Sequence, residues 1–364
     1  MEDESYAMKG GDGPHSYALN STFQRNTIEA SKKLIQEAIA ENFNPRGYAE
    51  PSRPISIRVA DLGCSTGPNT FLAMQTIVDA IELQFQSKGV AVQNPEFQVF
   101  LNDQVSNDFN TLFKNLPPNR KYFAAGVPGS FRGRLFPRET LHLVHSSSAL
   151  NWLSKVPADI TDIASSAWNK GRIHHTNAPK EVAHAYETQY KMDLENFLHA
   201  RAQELVDNGL MLLEIPVASD VVLDSDADPG KVFELIGSCL VDMIKGGLVG
   251  EEEVDSFNFP LFYAPLRLVK ETLERNGCFS IERMEVLHLK SIFTTPSVQI
   301  YISLYRAMLE GLIEKHFGEG IVDELFNRLA EKVKEFPDIM NTEKLKLAVL
   351  FVLLKSKPKS NDSY

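Results

Sequence analysis

Asp61-Leu62-Gly63-Cys64-Ser65-Thr66-Gly67 sets an acid and two glycines in the spacing D-x-G-x-x-x-G. The run Ile55 to Val59 before it alternates like a strand, and a helical pattern begins near Asn69. A strand that turns at glycine into a helix brings backbone N–H groups close to a ligand. The spacing is not the G-x-G-x-x-G of a dinucleotide site, whose pyrophosphate needs three glycines and a helix N-terminus. A compact zwitterion needs less: a turn, and an acid near its ammonium group. The methionine part of S-adenosylmethionine is such a group. A βα turn with no ligand role is the competing reading.

The elements that must position this turn follow along the chain. Helical spacing of Ile28, Leu34, Ile35, Ala38 and Ile39 predicts a helix from Phe23 to about Asn42. A first strand is expected over Ile55 to Asp61, then a helix from Asn69 to about Ser87. Phe97 to Leu101 reads as a second strand ending in Asn102-Asp103, followed by a helical stretch from Val105 to Leu116. Tyr122 to Val127 is a third strand, ending in Pro128-Gly129-Ser130-Phe131, and Thr140 to His145 a fourth, ending in Ser146-Ser147-Ser148. Glu181 to Val206 reads as a long helix stopped by Asp207-Asn208-Gly209, before a buried strand from Leu210 to Ile215. Ser280 to Leu289 and Leu345 to Leu354 are expected as an antiparallel, hairpin-like closure of the sheet. This alternation predicts an α/β fold with a largely parallel sheet covered on both faces. Right-handed crossovers gather ligands at the C-terminal strand ends. Asp61-Gly63, Asp103, Ser130-Phe131 and Ser146-Ser148 all fall on that edge.

Composition narrows the function classes. The 364 residues are 43% hydrophobic and 23% charged, as in a globular protein, and the net charge of −11 argues against nucleic acid or an anionic membrane as partner. Cys64, Cys239 and Cys278 are far apart and show no metal-ligand spacing, which points to a reducing compartment. No secretory h-region follows Met1, and the most apolar run, Leu347 to Leu354, is too short to span a bilayer. A cytoplasmic location is the expectation.

The chain resembles a known family, the plant SABATH methyltransferases. The resemblance is carried by Met8-Lys9-Gly10-Gly11 with Ser16-Tyr17 and Gln24, by Ala60 to Ser65 with Gly67-Pro68-Asn69, and by Leu101-Asn102-Asp103 with Asn107 to Asn110. It continues through Val127 to Phe131, Leu135-Phe136-Pro137, His145-Ser146-Ser147, Trp152-Leu153-Ser154 and Asp255 to Asn258. Members methylate small carboxylic acids, and some methylate xanthine nitrogens. The resemblance implies a Rossmann-like methyltransferase core under an α-helical cap, S-adenosylmethionine as cofactor, S-adenosylhomocysteine as product, and a homodimer. The expected division is an arm over 1–24, a core over 25–217 and 276–364, and cap segments over 218–275 and 305–340.

By this resemblance, Asp61, Gly63, Cys64 and Asn69 line the methionine end of the cofactor. Asp103 takes both ribose hydroxyls, Ser130 and Phe131 contact adenine, and Tyr17 and Ser147 complete the cofactor side. Gln104, where the family usually has leucine, sits at the adenine edge. Gln24 and Trp152 match the donors that clamp a substrate carboxylate, one through its amide and one through its indole N–H. Other readings stand beside these: Asp103 as the cap of the next helix, Trp152 as a packed aromatic on a helix, Phe131 as core and Lys9 as a solvated lysine. Asn169, Asp255, Phe257 and Asn258 match positions given to Mg²⁺ in related proteins, here with one carboxylate and hence a structural or loosely held ion.

Three departures bear on substrate choice. Ser148 replaces the common tyrosine, Asn151 a histidine or methionine, and Arg132 an aromatic. They make the pocket more polar or roomier and predict a larger or more hydroxylated acid, unless Arg132 pairs with an acid on the surface. The reaction expected is in-line displacement of the sulfonium methyl by an already ionised carboxylate, with no general base; His142 and His145 read as structural. The alternative is a xanthine N-methyltransferase, against which Gln24 is retained. A nicotinamide-dependent oxidoreductase or a non-catalytic binding protein fits the residues less well.

Overall fold

The computed structural model describes residues 7–48, 55–89, 95–218, 230–289, 297–340 and 348–359. Its centre is a seven-stranded sheet in the order β3-β2-β1-β4-β5-β7-β6. The strands are β1 (Ser56–Leu62), β2 (Glu96–Asp103), β3 (Phe123–Pro128), β4 (Leu141–Ser147), β5 (Leu205–Val217), β6 (Phe279–His288) and β7 (Ala348–Ser356). The first five run parallel, and β7 is antiparallel to both β5 and β6.

The apolar runs sort by alternation into two layers. Ile57, Val59, Leu210 and Leu212 join the cluster under α2 (Thr22–Asn42) and α3 (Asn69–Ser87). Ala60, Leu62, Met211 and Leu213 face the other way, against α5 (Lys180–Glu204) and α8 (Leu266–Asn276). Burial on both faces is why β5 reads as a continuous apolar run. A third cluster unites α6 (Lys231–Lys245), α7 (Glu251–Ser256), α9 (Val298–Phe317) and α10 (Val322–Glu335) beyond the strand ends. Two short helices remain, α1 (Tyr17–Asn20) and α4 (Phe109–Lys114).

Several expectations need correction. The helix expected over 105–116 is only α4, because Asp108 caps it by accepting from Thr111 N at 2.9 Å. Residues 207–209 do not cap α5: the chain enters β5 directly at Leu205, and the extra residues bulge from β5 between Leu205 and Leu210, opposite Leu141 and Leu143 of β4. The last two strands are adjacent and antiparallel but form no hairpin, since α9 and α10 lie between them; residues 345–347 of the expected strand fall outside the described residues. Helix α8, expected in the cap, buries Leu268, Val269 and Leu273 in the sheet's own cluster. Trp152 is not on a helix; it lies in the loop after β4 and bridges to Leu261.

Candidate active site

The register sets the acids at one edge. Asp61 near the end of β1 is level with His145 on β4, and Ser147 is level with Glu214 on β5. Asp61 is buried, accepts from the Thr70 hydroxyl, and pairs with His145 Nδ1 at 2.7 Å. His145 Nε2 lies 3.9 Å from Glu214 Oε2. Burial opposes the imidazolium, but the Asp61 and Glu214 carboxylates outweigh it and hold the His145 pKa above its ordinary value. His142 Nδ1 accepts from Arg58 N, and burial pushes its pKa down to about 4. One nitrogen of each histidine is thus taken up, while His145 Nε2, beside the cavity, has no hydrogen-bond partner among the described residues.

Gly63 turns the chain from β1 with φ +87°, and a Cβ there would stand 2.4 Å from the Ala149 Cβ. Only glycine meets both conditions. The turn is held from below by Asn102, whose carbonyl accepts from Gly63 N and Cys64 N, both at 2.9 Å. The Asn102 amide donates to the carbonyls of Val127 and Gly129, tying in the end of β3. Thus one buried residue, through its main-chain carbonyl and its amide, ties together the ends of β1, β2 and β3.

Asp103 is not a helix cap. Its Oδ2 accepts from Ser65 N at 2.7 Å and its Oδ1 from Gln104 N at 2.8 Å. Each oxygen keeps acceptor capacity, so the carboxylate suits two further donors side by side. Burial pushes its pKa up to about 6, against the lowering effect of the two backbone donors. A vicinal diol supplies the donors this acid can still accept. The residues present therefore fit a nucleoside at this edge.

The arm before α2 closes over the turn. Lys9 Nζ pairs with Glu310 of α9 at 2.7 Å, Lys9 N donates to the Ala307 carbonyl, and Gly11 N donates to Asp108 Oδ2. Lys9 is therefore engaged rather than merely solvated. The cavity beside the turn is lined by Tyr17, Gln24, Asp61, Gly63, Cys64, Asn69 and Ser147, among others. Asn69 Nδ2 also donates to the carbonyl and hydroxyl of Ser21, joining the start of α3 to that of α2. Burial raises the Cys64 thiol pKa well above its ordinary value, which keeps it neutral.

Ser130 and Phe131 follow β3. Phe131 is buried, edge-to-face with Phe197 at 5.8 Å, and next to the Gly63 turn. Its carbonyl and that of Gly133 accept from the fully buried Arg201, which pairs with Glu204 at 2.7 Å. Arg201 and Glu204 were not singled out in the sequence, because an i,i+3 pair on a helix usually marks an exposed face. Arg132 does not make the pocket more polar. It is nearly buried, donates to the Trp152 carbonyl and lies 3.5 Å from Asp193, so its acid partner is internal rather than superficial.

Of the residues matched to the substrate, Gln24 Oε1, Ser148 Oγ and Asn151 Oδ1 are buried and lack hydrogen-bond partners among the described residues, as does Ser147 Oγ on the cofactor side. Ser148 holds φ +55°, fixed by its N–H on the Glu214 carbonyl. The Asn151 carbonyl accepts from Phe262 N, and Trp152 packs half-buried against the third apolar cluster.

Asn169, Asp255, Phe257 and Asn258 come together as a hydrogen-bonded clasp. Asn169 Nδ2 donates to Asn258 Oδ1 at 2.7 Å, Asp255 Oδ1 accepts from Gly171 N, and the Phe257 ring packs on Phe259 and Phe317. The set is sparse for Mg²⁺: one carboxylate with one oxygen already used and the Asn258 amide oxygen already used, while Asn169 Oδ1 is buried without a partner among the described residues. No group of three or more His, Cys, Asp or Glu side chains suited to a metal occurs among the described residues. Nor does any described helix have the length and apolarity to cross a membrane.

Comparison with known proteins agrees with this geometry. The profile of a family described as SAM dependent carboxyl methyltransferase matches residues 3–357. A loganic acid O-methyltransferase of Catharanthus roseus is 44% identical over 97% of this chain and 95% of its own. A paraxanthine methyltransferase of Arabidopsis thaliana is 38% identical over 97% and 99%. A solved structure titled loganic acid methyltransferase with SAH superposes with a TM-score of 0.90 at 43% identity, covering 97% of this chain and 99% of that one. The chain belongs to the S-adenosylmethionine-dependent carboxyl methyltransferases of the SABATH family.

Proposed function

We propose that the protein forms the methyl ester of a hydroxyl-bearing carboxylic acid, held by Gln24 and Trp152 beside Ser147, Ser148 and Asn151. The observation that carries this reading is that Gln24, Ser148 and Asn151, the residues matched to the substrate, each keep a buried polar atom without a partner among the described residues. Leaving a buried polar group unpaired costs about 1–3 kcal/mol, so such a group calls for a polar ligand. The bound cofactor supplies a methyl on a sulfonium centre. Asp103 holds the ribose, Phe131 the adenine face, and Asp61 with Asn69 the methionine end. The Gln24 amide and Trp152 indole hold the acid without the full countercharge an arginine would bring. A carboxylic acid with a pKa of about 4 is already ionised at neutral pH, so no residue removes a proton. The chain's contribution is alignment, which supplies about 7–11 kcal/mol in well-oriented reactions. The arm and the third helical cluster exclude water while the atoms are aligned.

The test is methyl transfer to pairs of acids that share a frame and differ in hydroxyl groups. The reading expects kcat/KM to fall by about tenfold or more on loss of a hydroxyl the site reads. Equal rates across each pair would refute the hydroxyl-reading site. Xanthines belong in the same panel, because Asn151 can also pair with a purine edge.

A further inference from the structure

Arg132 sits between the two halves of the site. It follows Ser130 and Phe131, and its own N–H reaches back to Ser130 Oγ at 3.4 Å. Its guanidinium leaves that loop, with Nη2 donating to the Trp152 carbonyl and Nε 3.5 Å from Asp193 Oδ2. Only 13% of its side chain is exposed, and its Cζ lies 5.0 Å from the centre of the Phe131 ring. A buried guanidinium is costly without a countercharge, and Asp193 supplies one while the Trp152 carbonyl takes one N–H.

The partners are themselves fixed. Asp193, on α5, accepts from Ser154 N and Ser154 Oγ, both at 2.7 Å, and from Gln189 Nε2 at 3.0 Å. The loop 149–154 is thus gripped at Trp152 by Arg132 and at Ser154 by Asp193. On its far side, Leu153 N donates to the Pro260 carbonyl and Phe262 N to the Asn151 carbonyl. The Arg132 loop is pinned in turn by Arg201, through the carbonyls on either side of Arg132. One contiguous network therefore runs from the adenine-side loop to the backbone of the residue assigned to the substrate carboxylate.

We infer that Arg132 is a positioning residue that sets Trp152 at a fixed distance from the adenine-side loop, so that the acid oxygen arrives in line with the methyl. The inference rests on the assignment of Trp152 to the substrate. Arg132 touches neither ligand; it acts through the Trp152 carbonyl. An aromatic at this position cannot donate an N–H bond to the Trp152 carbonyl while carrying a charge for Asp193. Misplacing a reacting atom by about 1 Å costs about 100-fold in rate, so a small slip of this loop is enough.

The test compares Arg132→Met and Arg132→Lys by three readouts, and Trp152→Phe by the first two. The readouts are S-adenosylhomocysteine Kd by calorimetry, acid KM and kcat, and time-resolved fluorescence anisotropy of Trp152. The anisotropy is read in a Trp168→Phe background, which leaves Trp152 as the single tryptophan. Arg132→Met is expected to raise acid KM by about tenfold or more, to lower kcat, and to give Trp152 a fast depolarising component, with nucleoside Kd within about threefold of wild type. Arg132→Lys, which keeps a donor for the carbonyl, should recover part of both. If Arg132→Met does not fold, Arg132→Lys and Asp193→Asn carry the same comparison with smaller shifts. Unchanged acid KM and anisotropy in the Arg132 variants, with acid KM raised in Trp152→Phe, would overturn the inference alone. Unchanged acid KM in Trp152→Phe would overturn the assignment on which it rests. An equal loss of nucleoside and acid affinity in Arg132→Met would also overturn it, by placing the effect at the cofactor.

Discussion

Replacing Asp103 should separate a cofactor acid from a structural one. Its two oxygens each hold one backbone N–H, from Ser65 and Gln104, and each retains room for one ribose hydroxyl. Hydrogen bonds to a charged group are worth about 1.5–3 kcal/mol each. Losing two therefore weakens S-adenosylhomocysteine binding by roughly 3–6 kcal/mol, or about 10²–10⁴-fold in Kd. Asp103→Ala tests the full loss. Asp103→Asn keeps one acceptor but turns an amide donor toward a backbone N–H, and should lose about half as much free energy. The same acid predicts a pH dependence. Its pKa in the free protein is pushed up to about 6, and ribose hydroxyls favour the ionised form. Binding therefore releases a proton near pH 6, and affinity falls as pH drops below that value, by up to about tenfold per unit. Calorimetry in buffers of different ionisation enthalpy measures both quantities. A Kd within about threefold of wild type for both variants, with no proton release near pH 6, would remove Asp103 from the cofactor site.

Three further outcomes are expected. Gly63→Ala should abolish measurable S-adenosylhomocysteine binding and lower Tm, because a Cβ at φ +87° meets Ala149 at 2.4 Å; retained binding at wild-type Tm would contradict the turn geometry. Arg201→Met strands the buried Glu204 carboxylate and should destabilise the fold by about 3–5 kcal/mol in urea unfolding, whereas a change below about 1 kcal/mol would mean that the pair is dispensable. Asn151→Met with Ser148→Tyr fills the polar subsite with apolar surface and should shift the kcat/KM ratio toward small flat aromatic acids such as salicylate; an unmoved ratio in a folded, cofactor-binding variant would show that these residues do not set specificity.

The parts of this site that were legible in the sequence are those whose chemistry is local. Asp61, Gly63, Asp103 and Ser130 could be placed on one edge because apolar periodicity located the strands and parallel topology did the rest. The helix from Asn69 to Ser87 could be read for the same reason. What could not be read depended on tertiary partners. Whether Asp103 or Asp108 caps α4 turns on which carboxylate reaches Thr111, and one sequence offers both. Arg132 reads like a surface cation until Asp193, distant in sequence, is brought beside it. Glu214 hides inside an apolar strand, and its nearness to His145 exists only through the β4–β5 register. The partners of the residues matched to a metal are likewise tertiary: Asn169 donates to Asn258, and Asp255 accepts from Gly171 N.

The central claim is transfer of a methyl to a carboxylate oxygen. It is tested most directly by incubating the enzyme with methyl-labelled S-adenosylmethionine and a panel of hydroxylated acids and xanthines, then treating the products with mild base. An ester gives up its label as methanol, whereas an N-methyl or ether product keeps it. The account predicts base-labile label on the acids, lost when Gln24→Ala or Trp152→Phe is introduced while S-adenosylhomocysteine still binds. Base-stable label, or transfer to xanthines in preference to every acid, would contradict it.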